Sequence, residues 1–220
     1  MAVTAAAVGE RLAEVRGRVE AAGGDWRQIT LVAVTKDFGI DAVEAALANG
    51  VRDCGENRAD RLAAKAADII DPAGISWHYL GRVQRNKVAR LAPHVSLWQG
   101  VDRVAAGEEI ARRAPGASVL VQINVSAEPR KHGCRIEEAP TLVAQLRETG
   151  LDVRGLMAVG PMGPPDAARP GFRALVTLAD QLDLPVRSMG MTDDIEVAVQ
   201  EGSTMLRIGT GLFGPRPSTT

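Results

Sequence analysis

Residues 29–36 are Ile29-Thr30-Leu31-Val32-Ala33-Val34-Thr35-Lys36, the first strongly apolar, β-branched run in the chain. A run of this kind between polar residues is typical of a parallel strand that is buried on both faces. Lys36 ends the run, where buried backbone gives way to a loop. A lysine there usually points into solvent, because an unpaired ammonium is seldom buried. At the mouth of an α/β barrel, however, a partly desolvated amine becomes a nucleophile for aldehydes.

Seven further strand-like runs follow, and helical patterns separate them. The eight predicted strands are at 29–36, 52–54, 76–80, 95–98, 118–125, 153–159, 186–189 and 204–208. This alternation predicts an α/β fold, a (β/α)8 TIM barrel with an extra N-terminal helix, and the alternative is a doubly wound open sheet. No linker divides the chain. We therefore expect a single domain over residues 1–220, with the helix in 1–24 and the barrel in 29–214.

The composition narrows the range of functions. Charged residues make up 24 % of the chain, the formal net charge is -1 and aromatic residues make up 3 %. This balance disfavours a nucleic-acid binder. No window reaches the ~18 apolar residues of a membrane span, and the amphipathic N-terminal segment does not resemble a targeting signal. The two cysteines, Cys54 and Cys134, form no disulfide framework, so we expect a cytoplasmic protein with reduced thiols.

The last predicted strand runs into a glycine-rich segment with Gly209, Gly211 and Gly214 in G-x-G-x-x-G spacing. A dinucleotide fold needs a further helix, a strand and an acidic residue beyond such a motif, and that context is not expected here. In barrels, however, the loops after strands seven and eight commonly hold a phosphate. The loop after strand seven contributes the hydroxyl of Thr192. Two ordinary turns would also explain these loops, but together they favour a phosphate site.

Two other residues near strand ends are candidates for the site. Asn57 follows the second strand, where it either caps the next helix or lies at the rim of the barrel. His78 alternates with aromatic neighbours in the third strand, so it faces either the barrel interior or the helix layer. It is either a core histidine with satisfied hydrogen bonds or a residue of the site. His78, His94 and His132 lack the spacing of metal ligands, so we expect no metal site.

The combination of an amine, a phosphate site and an arginine indicates one class of ligand. Lys36 follows the first strand, and Arg207 lies in the last strand, two residues before the glycine segment. A phosphorylated aldehyde fits this set, because the lysine can form a Schiff base while the loops hold the phosphate. Pyridoxal 5'-phosphate (PLP) is such a ligand, and its ring nitrogen is commonly met by an Arg or Asp.

The sequence resembles the PLP homeostasis protein family, which is related to the N-terminal barrel of alanine racemase. The matching segments run in order along most of the chain: Leu31-Val-Ala-Val-Thr-Lys36, Cys54-Gly-Glu-Asn57, Trp77-His-Tyr-Leu-Gly81, Gln84-x-Asn86-Lys87, Val121-Gln-Ile-Asn-Val125, Lys131-x-Gly133, Gly155-Leu-Met157, Gly190-Met-Thr-Asp-Asp194 and Gly202-Ser-Thr-Met-Leu-Arg-Ile-Gly-Thr210. The family usually has Ser in place of Thr192, and the hydroxyl is kept.

The resemblance implies a role for each candidate residue. It implies a covalent bond from Lys36 to PLP, phosphate contacts from three residues, a ring-nitrogen contact and pocket-lining side chains. The expected cofactor-binding residues are Lys36, Asn57, His78, Met157, Thr192, Arg207, Gly209 and Thr210. It also implies a non-catalytic monomer that buffers or delivers PLP, affects amino-acid and keto-acid balance, and has PLP-dependent apoenzymes as partners.

Two alternatives stay open at this point. The first is a PLP-dependent amino-acid racemase of low activity, in which Lys36 is the base. Related racemases take a second base from an added β-domain, for which we expect no counterpart here. The second is an interaction module whose basic helix, with Arg85, Lys87 and Arg90, docks PLP-dependent enzymes.

Overall fold

The computed structural model is a closed barrel of eight parallel strands in sequential order. It describes residues 3–69, 74–126, 128 and 131–216. The first and last strands pair with each other, with Thr30 opposite Met205 and Ala33 opposite Ile208. This pairing closes the sheet. It confirms the predicted TIM barrel and excludes the open doubly wound sheet.

The strands and helices alternate as expected. The strands are β1 (Thr30–Val34), β2 (Asp53–Glu56), β3 (Ser76–Tyr79), β4 (Val95–Val101), β5 (Ser118–Ile123), β6 (Asp152–Ala158), β7 (Val186–Ser188) and β8 (Met205–Ile208). The helices are α1 (Ala5–Ala21), α2 (Ile40–Ala48), α3 (Ala59–Asp68), α4 (Arg85–Leu91), α5 (Val104–Arg113), α6 (Ala139–Glu148), α7 (Arg169–Gln181), α8 (Ile195–Gln200) and α9 (Thr210–Phe213). Within the residues that the structure describes, three short 3-10 helices lie at Trp26–Gln28, Ile136–Glu138 and Pro165–Ala168.

The largest difference from the predicted strands is in β4, which continues to Val101 instead of ending near Trp98. The pair Gln99-Gly100 is polar and small, which is typical of a turn. In the barrel the Gln99 amide is hydrogen-bonded inside. A Cβ at Gly100 would lie 2.2 Å from the carbonyl oxygen of Gly81, so only glycine allows β4 to approach the segment after β3 this closely.

The hydrophobic residues form two layers. The larger cluster lies between the outer faces of the strands and the helices. The smaller cluster fills part of the barrel interior and contains Val32, Leu97, Leu120, Met157 and Met205. The alternation of side chains along each strand produces this division. The interior cluster forms an apolar floor below the C-terminal ends of the strands.

Helix α1 supports the last part of the barrel. Its first turn is capped by the Thr4 hydroxyl, and Val8, Val15 and Val19 are buried. The helix packs against α2, α8 and α9. Because α8 and α9 follow the seventh and eighth strands, the N-terminal helix lies behind the loops that were expected to hold a phosphate.

The Gly/Pro-rich segment 160–171 is partly helical. A 3-10 helix covers Pro165–Ala168, and α7 begins at Arg169 instead of Phe172 because Pro170 fits the first turn of a helix.

Among the described residues, no helix has the length and apolar character needed to cross a membrane.

Candidate functional site

A cavity of about 590 Å³ opens at the C-terminal ends of the strands. Its volume lies within the ~300–1,000 Å³ typical of small-molecule sites. Seven of the eight residues predicted for the site line it: Lys36, Asn57, Met157, Thr192, Arg207, Gly209 and Thr210. The eighth, His78, does not. The closed barrel therefore brings together residues that are up to 174 positions apart in the sequence (210 − 36).

Lys36 lies two residues beyond the end of β1 and is partly buried. The preceding residue, Thr35, is fully buried, and its N–H donates to the carbonyl of Gly55 at 2.9 Å. The chain has four lysines, all in the described ranges, and Lys36 is the one that lines the cavity. Its backbone is fixed by the strand while its amine has access to the cavity.

A second lysine, which the sequence reasoning missed, holds the backbone just before Lys36. Lys65 of α3 is buried, and its Nζ donates to Glu56 Oε1 at 2.5 Å and to the carbonyl oxygen of Thr35 at 2.7 Å. Glu56 has no exposed surface, and it also accepts the Thr35 hydroxyl at 3.1 Å. In the structure it points outward from the barrel and pairs with Lys65.

Arg207 lies on the inner face of β8 and is 4 % exposed. Its Nη1 donates to the hydroxyl of Ser188 at 2.7 Å, and its Nη2 donates to the carbonyl of Ala158 at 2.8 Å. Burial lowers the pKa of Arg207 to about 10, and the carboxylate of Asp194 opposes this shift. A pKa of about 10 still leaves the guanidinium charged at neutral pH. The cavity therefore contains a fixed cation among apolar walls.

The loops after β7 and β8 meet at the wall of the cavity. The hydroxyl of Thr210 donates to that of Thr192 at 3.3 Å, and the N–H of Gly211 donates to the same Thr192 oxygen at 3.1 Å. A Cβ at Gly211 would lie 3.1 Å from the Thr192 methyl group, so a larger residue would push the loops apart. Two hydroxyls and glycine-rich backbone at one place make a small polar cradle that suits a phosphate group.

Arg18 of α1 fixes this cradle from behind. Its Nη1 donates to the carbonyl of Thr192 at 2.8 Å, while Nε and Nη2 donate to the two oxygens of Glu196 at 2.6 and 2.8 Å. The hydrogen bond from Arg18 holds the pKa of Glu196 below its usual range. Local sequence patterns do not predict this contact, because 174 residues separate Arg18 from Thr192.

The expectation that His78 lines the pocket has to be corrected. His78 is buried in the barrel below the cavity, where its Nε2 lies 2.9 Å from Asp53 Oδ1 and its Nδ1 lies 2.7 Å from Gln99 Nε2. These two hydrogen bonds draw the imidazole toward the N-terminal half of the barrel. Of the two interpretations from the sequence, the core histidine with satisfied hydrogen bonds is the one in the structure.

The remaining walls are mostly apolar. Residues that the sequence reasoning did not assign to the site are Val34, Phe38, Leu80, Val159, Met162, Met191, Asp193 and Arg216. Met162 is 95 % exposed and lies at the mouth. Over the described ranges, no group of three or more His, Cys, Asp or Glu side chains could hold a metal ion. The site thus offers one amine, one buried cation and one hydroxyl-lined cradle.

Comparison with known proteins gives a consistent result. Residues 6–217 match the family model of the alanine racemase N-terminal domain. The chain is 37 % identical to the PLP homeostasis protein of Pseudomonas aeruginosa over 95 % of this chain and 96 % of that protein. It is 35 % identical to the protein of the same name from Aquifex aeolicus, over 94 % and 97 % of the two chains.

A similar solved structure is PipY of Synechococcus elongatus PCC7942 with PLP bound. The TM-score is 0.81 and the identity is 31 %, over 94 % of this chain and 100 % of that chain. The similarity extends over both chains almost entirely.

Proposed function

Because this chain belongs to the PLP homeostasis protein family, we propose that it binds PLP through a Schiff base to Lys36 and takes part in controlling the level of this cofactor. The observation that carries the proposal is one cavity of about 590 Å³ lined by Lys36, Arg207 and Thr192. A phosphorylated pyridine aldehyde needs an amine, a partner for the ring nitrogen and a phosphate site. The cavity supplies all three.

Each group of residues has a separate task in this proposal. PLP supplies an aldehyde for covalent attachment and an aromatic ring that can accept electrons. The Nζ of Lys36 forms a C=N bond with the aldehyde carbon, and water leaves. Thr192, Gly209 and Thr210 hold the phosphate through hydroxyl and backbone N–H groups. Asn57 and Met157 border the ring, and Arg207 faces its nitrogen.

We propose that the bound form stores PLP and does not catalyse amino-acid chemistry. Arg207 remains charged at neutral pH and can only donate hydrogen bonds. A fixed cation at this position opposes protonation of the ring nitrogen, and this weakens the ring as an electron acceptor. Turnover of L- and D-amino acids above about 1 s⁻¹, which is within the usual enzyme range, would overturn this part of the proposal.

Delivery to PLP-dependent apoenzymes is the second part of the role. The basic helix α4 follows Leu80, which lines the cavity, and its residues Arg85 and Lys87 are exposed near the rim. We expect the double change Arg85→Glu and Lys87→Glu to slow PLP transfer to an apoenzyme while the affinity for PLP stays the same. Transfer at the unchanged rate would show that α4 does not dock recipients.

One chain supplies every residue in this proposal, so we expect a monomer to be sufficient.

Visible absorbance tests the binding proposal. We expect the wild type mixed with PLP, then freed of excess PLP, to keep a yellow chromophore that Lys36→Ala lacks. Lys131→Ala is the matched control, because Lys131 is a partly buried lysine bonded to Glu128 and to the Gly160 carbonyl. Colour retained by Lys36→Ala and lost by Lys131→Ala would show that another amine holds the aldehyde.

A further inference from the structure

A continuous chain of hydrogen bonds runs through the barrel below the cavity. Arg207 Nη1 lies 2.7 Å from Ser188 Oγ, and the same oxygen lies 2.7 Å from Gln99 Oε1. Gln99 Nε2 lies 2.7 Å from His78 Nδ1, and His78 Nε2 lies 2.9 Å from Asp53 Oδ1. The five residues come from β8, β7, β4, β3 and β2, so this hydrogen-bond chain crosses the whole barrel.

The two ends, together with the Gln99 amide, whose Oε1 faces Ser188 and whose Nε2 faces His78, determine the direction of every bond in this hydrogen-bond chain. The guanidinium of Arg207 can only donate, and the carboxylate of Asp53 can only accept. Ser188 therefore accepts from Arg207 and donates to Gln99 Oε1. Gln99 then donates from Nε2 to an unprotonated His78 Nδ1, and His78 donates from Nε2 to Asp53. The Gln99 amide nitrogen also lies 3.2 Å from the sulfur of Met205, a weak acceptor, which agrees with this orientation.

This hydrogen-bond chain takes the place of some of the aliphatic side chains that normally fill a TIM barrel, beside the interior apolar cluster. Barrel interiors are dominated by Val, Ile and Leu, and buried polar groups are tolerated only when every partner is present. Ser188 and Gln99 have no exposed surface, and His78 is 3 % exposed. Aliphatic residues would fill the same space without the need for exact partners. The polar chain therefore serves a purpose other than filling the core.

We propose that Ser188, Gln99, His78 and Asp53 are positioning residues for Arg207, and that they hold its guanidinium at the ring nitrogen of PLP. This inference rests on the function proposed above. Ser188 fixes one terminal nitrogen, and the carbonyl of Ala158 fixes the other. With both terminal nitrogens held, the guanidinium plane has one orientation. Loss of the hydrogen-bond chain leaves Arg207 charged and held only at Nη2 by the Ala158 carbonyl, so the guanidinium plane can rotate away from the ring.

The test compares two ligands that differ at the ring nitrogen. The first is PLP, and the second is its 1-deaza analogue, in which C–H replaces that nitrogen. We expect wild type to prefer PLP, and Gln99→Met to lower this preference by about tenfold, since one charge-assisted hydrogen bond is misaligned. The matched control is Gln122→Met. Gln122 is a buried glutamine on β5 that takes no part in the hydrogen-bond chain and does not line the cavity. This control keeps the wild-type preference.

The outcomes separate this inference from the proposed function. Equal weakening of both ligands by Gln99→Met means a general structural role and overturns the inference, as does an unchanged preference. A wild type that binds neither ligand refutes the cofactor site itself. If Gln99→Met does not fold, Ser188→Ala removes one hydroxyl without adding bulk and loses the same preference.

A second measurement needs no ligand. The ¹⁵N spectrum of the histidine rings, with His78→Gln used for assignment, reports which nitrogen carries the proton. The donor-to-acceptor direction of the hydrogen-bond chain requires the proton on Nε2 of His78. A proton on Nδ1 of the free protein contradicts the inference.

Discussion

Lys65→Met removes the cation from a fully buried carboxylate. Glu56 has no exposed surface, and its Oε1 accepts from Lys65 Nζ at 2.5 Å. Oε2 is buried without a hydrogen-bond partner, so Lys65 carries most of the compensation for burying this charge. Removal of one member of a buried ion pair costs about 3–5 kcal/mol. Methionine fills the space of the lysine stem, so the cost is mainly electrostatic.

The expected loss is a large share of the total stability. Domains have unfolding free energies of about 5–15 kcal/mol, and for a chain of this size 1 kcal/mol shifts the Tm by roughly 2–4 °C. We therefore expect the Tm to fall by about 6–20 °C. Urea unfolding with linear extrapolation measures the free energy, and the slope shows whether the denatured state has changed.

A double variant gives the sharper result. Glu56→Leu together with Lys65→Met replaces the pair with apolar side chains, which is often neutral or stabilising. We expect the double variant to be at least about 2 kcal/mol more stable than the sum of the two single losses predicts. Lys87→Met is the control for a lysine change on an exposed helix position, with an effect within about 0.5 kcal/mol. A loss below about 1 kcal/mol for Lys65→Met, or additive single losses, would refute the reasoning.

Three further predictions test separate parts of the structure. Burial raises the pKa of the Cys54 and Cys134 thiols to about 12. A thiol reagent at pH 8 should therefore react with them only after denaturant is added. Rapid labelling of the native protein would contradict this burial. Arg18→Ala should weaken PLP binding several-fold by freeing the loop after β7. The stability difference between this variant and wild type should be present above pH 4.5, the ordinary pKa of Glu196. It should vanish as the pH falls through the lowered pKa that Glu196 has in the folded protein. A difference that persists in acid would contradict the ion pair. Gly155→Ala should cost about 1–3 kcal/mol in urea unfolding, because a Cβ there would lie 1.9 Å from a backbone carbonyl of β7, and an unchanged midpoint would show that the strands can separate.

The barrel could be predicted from the sequence because each βα unit carries its own local signal. Apolar runs of four to eight residues and the helical patterns between them are short-range features. Closure of the sheet then follows from the number and spacing of the units. The polar end of β4 was missed because Gln99 and Gly100 are stabilised by residues on other strands, which local patterns do not encode.

The site could be predicted in part. The grouping of Lys36, Thr192 and Arg207 around one cavity could be predicted because each lies at or near the C-terminal end of a strand, where barrels place their ligands. His78 was assigned to the lining only through the resemblance to the family, because a strand pattern does not give the depth of a side chain in the barrel. The supporting residues Lys65 and Arg18 act across long sequence distances, and nothing in their own neighbourhoods distinguishes them from surface cations.

The measurement that tests the central claim most directly is the position of the covalent bond to PLP. Borohydride reduction of the PLP-loaded protein, followed by digestion and mass spectrometry, marks the lysine that holds the aldehyde. The chain has four lysines, Lys36, Lys65, Lys87 and Lys131, so the result is unambiguous. We predict a single phosphopyridoxyl group on Lys36. The same group on any of the other three lysines, with Lys36 unmodified, would contradict the assignment of the cavity as the PLP site.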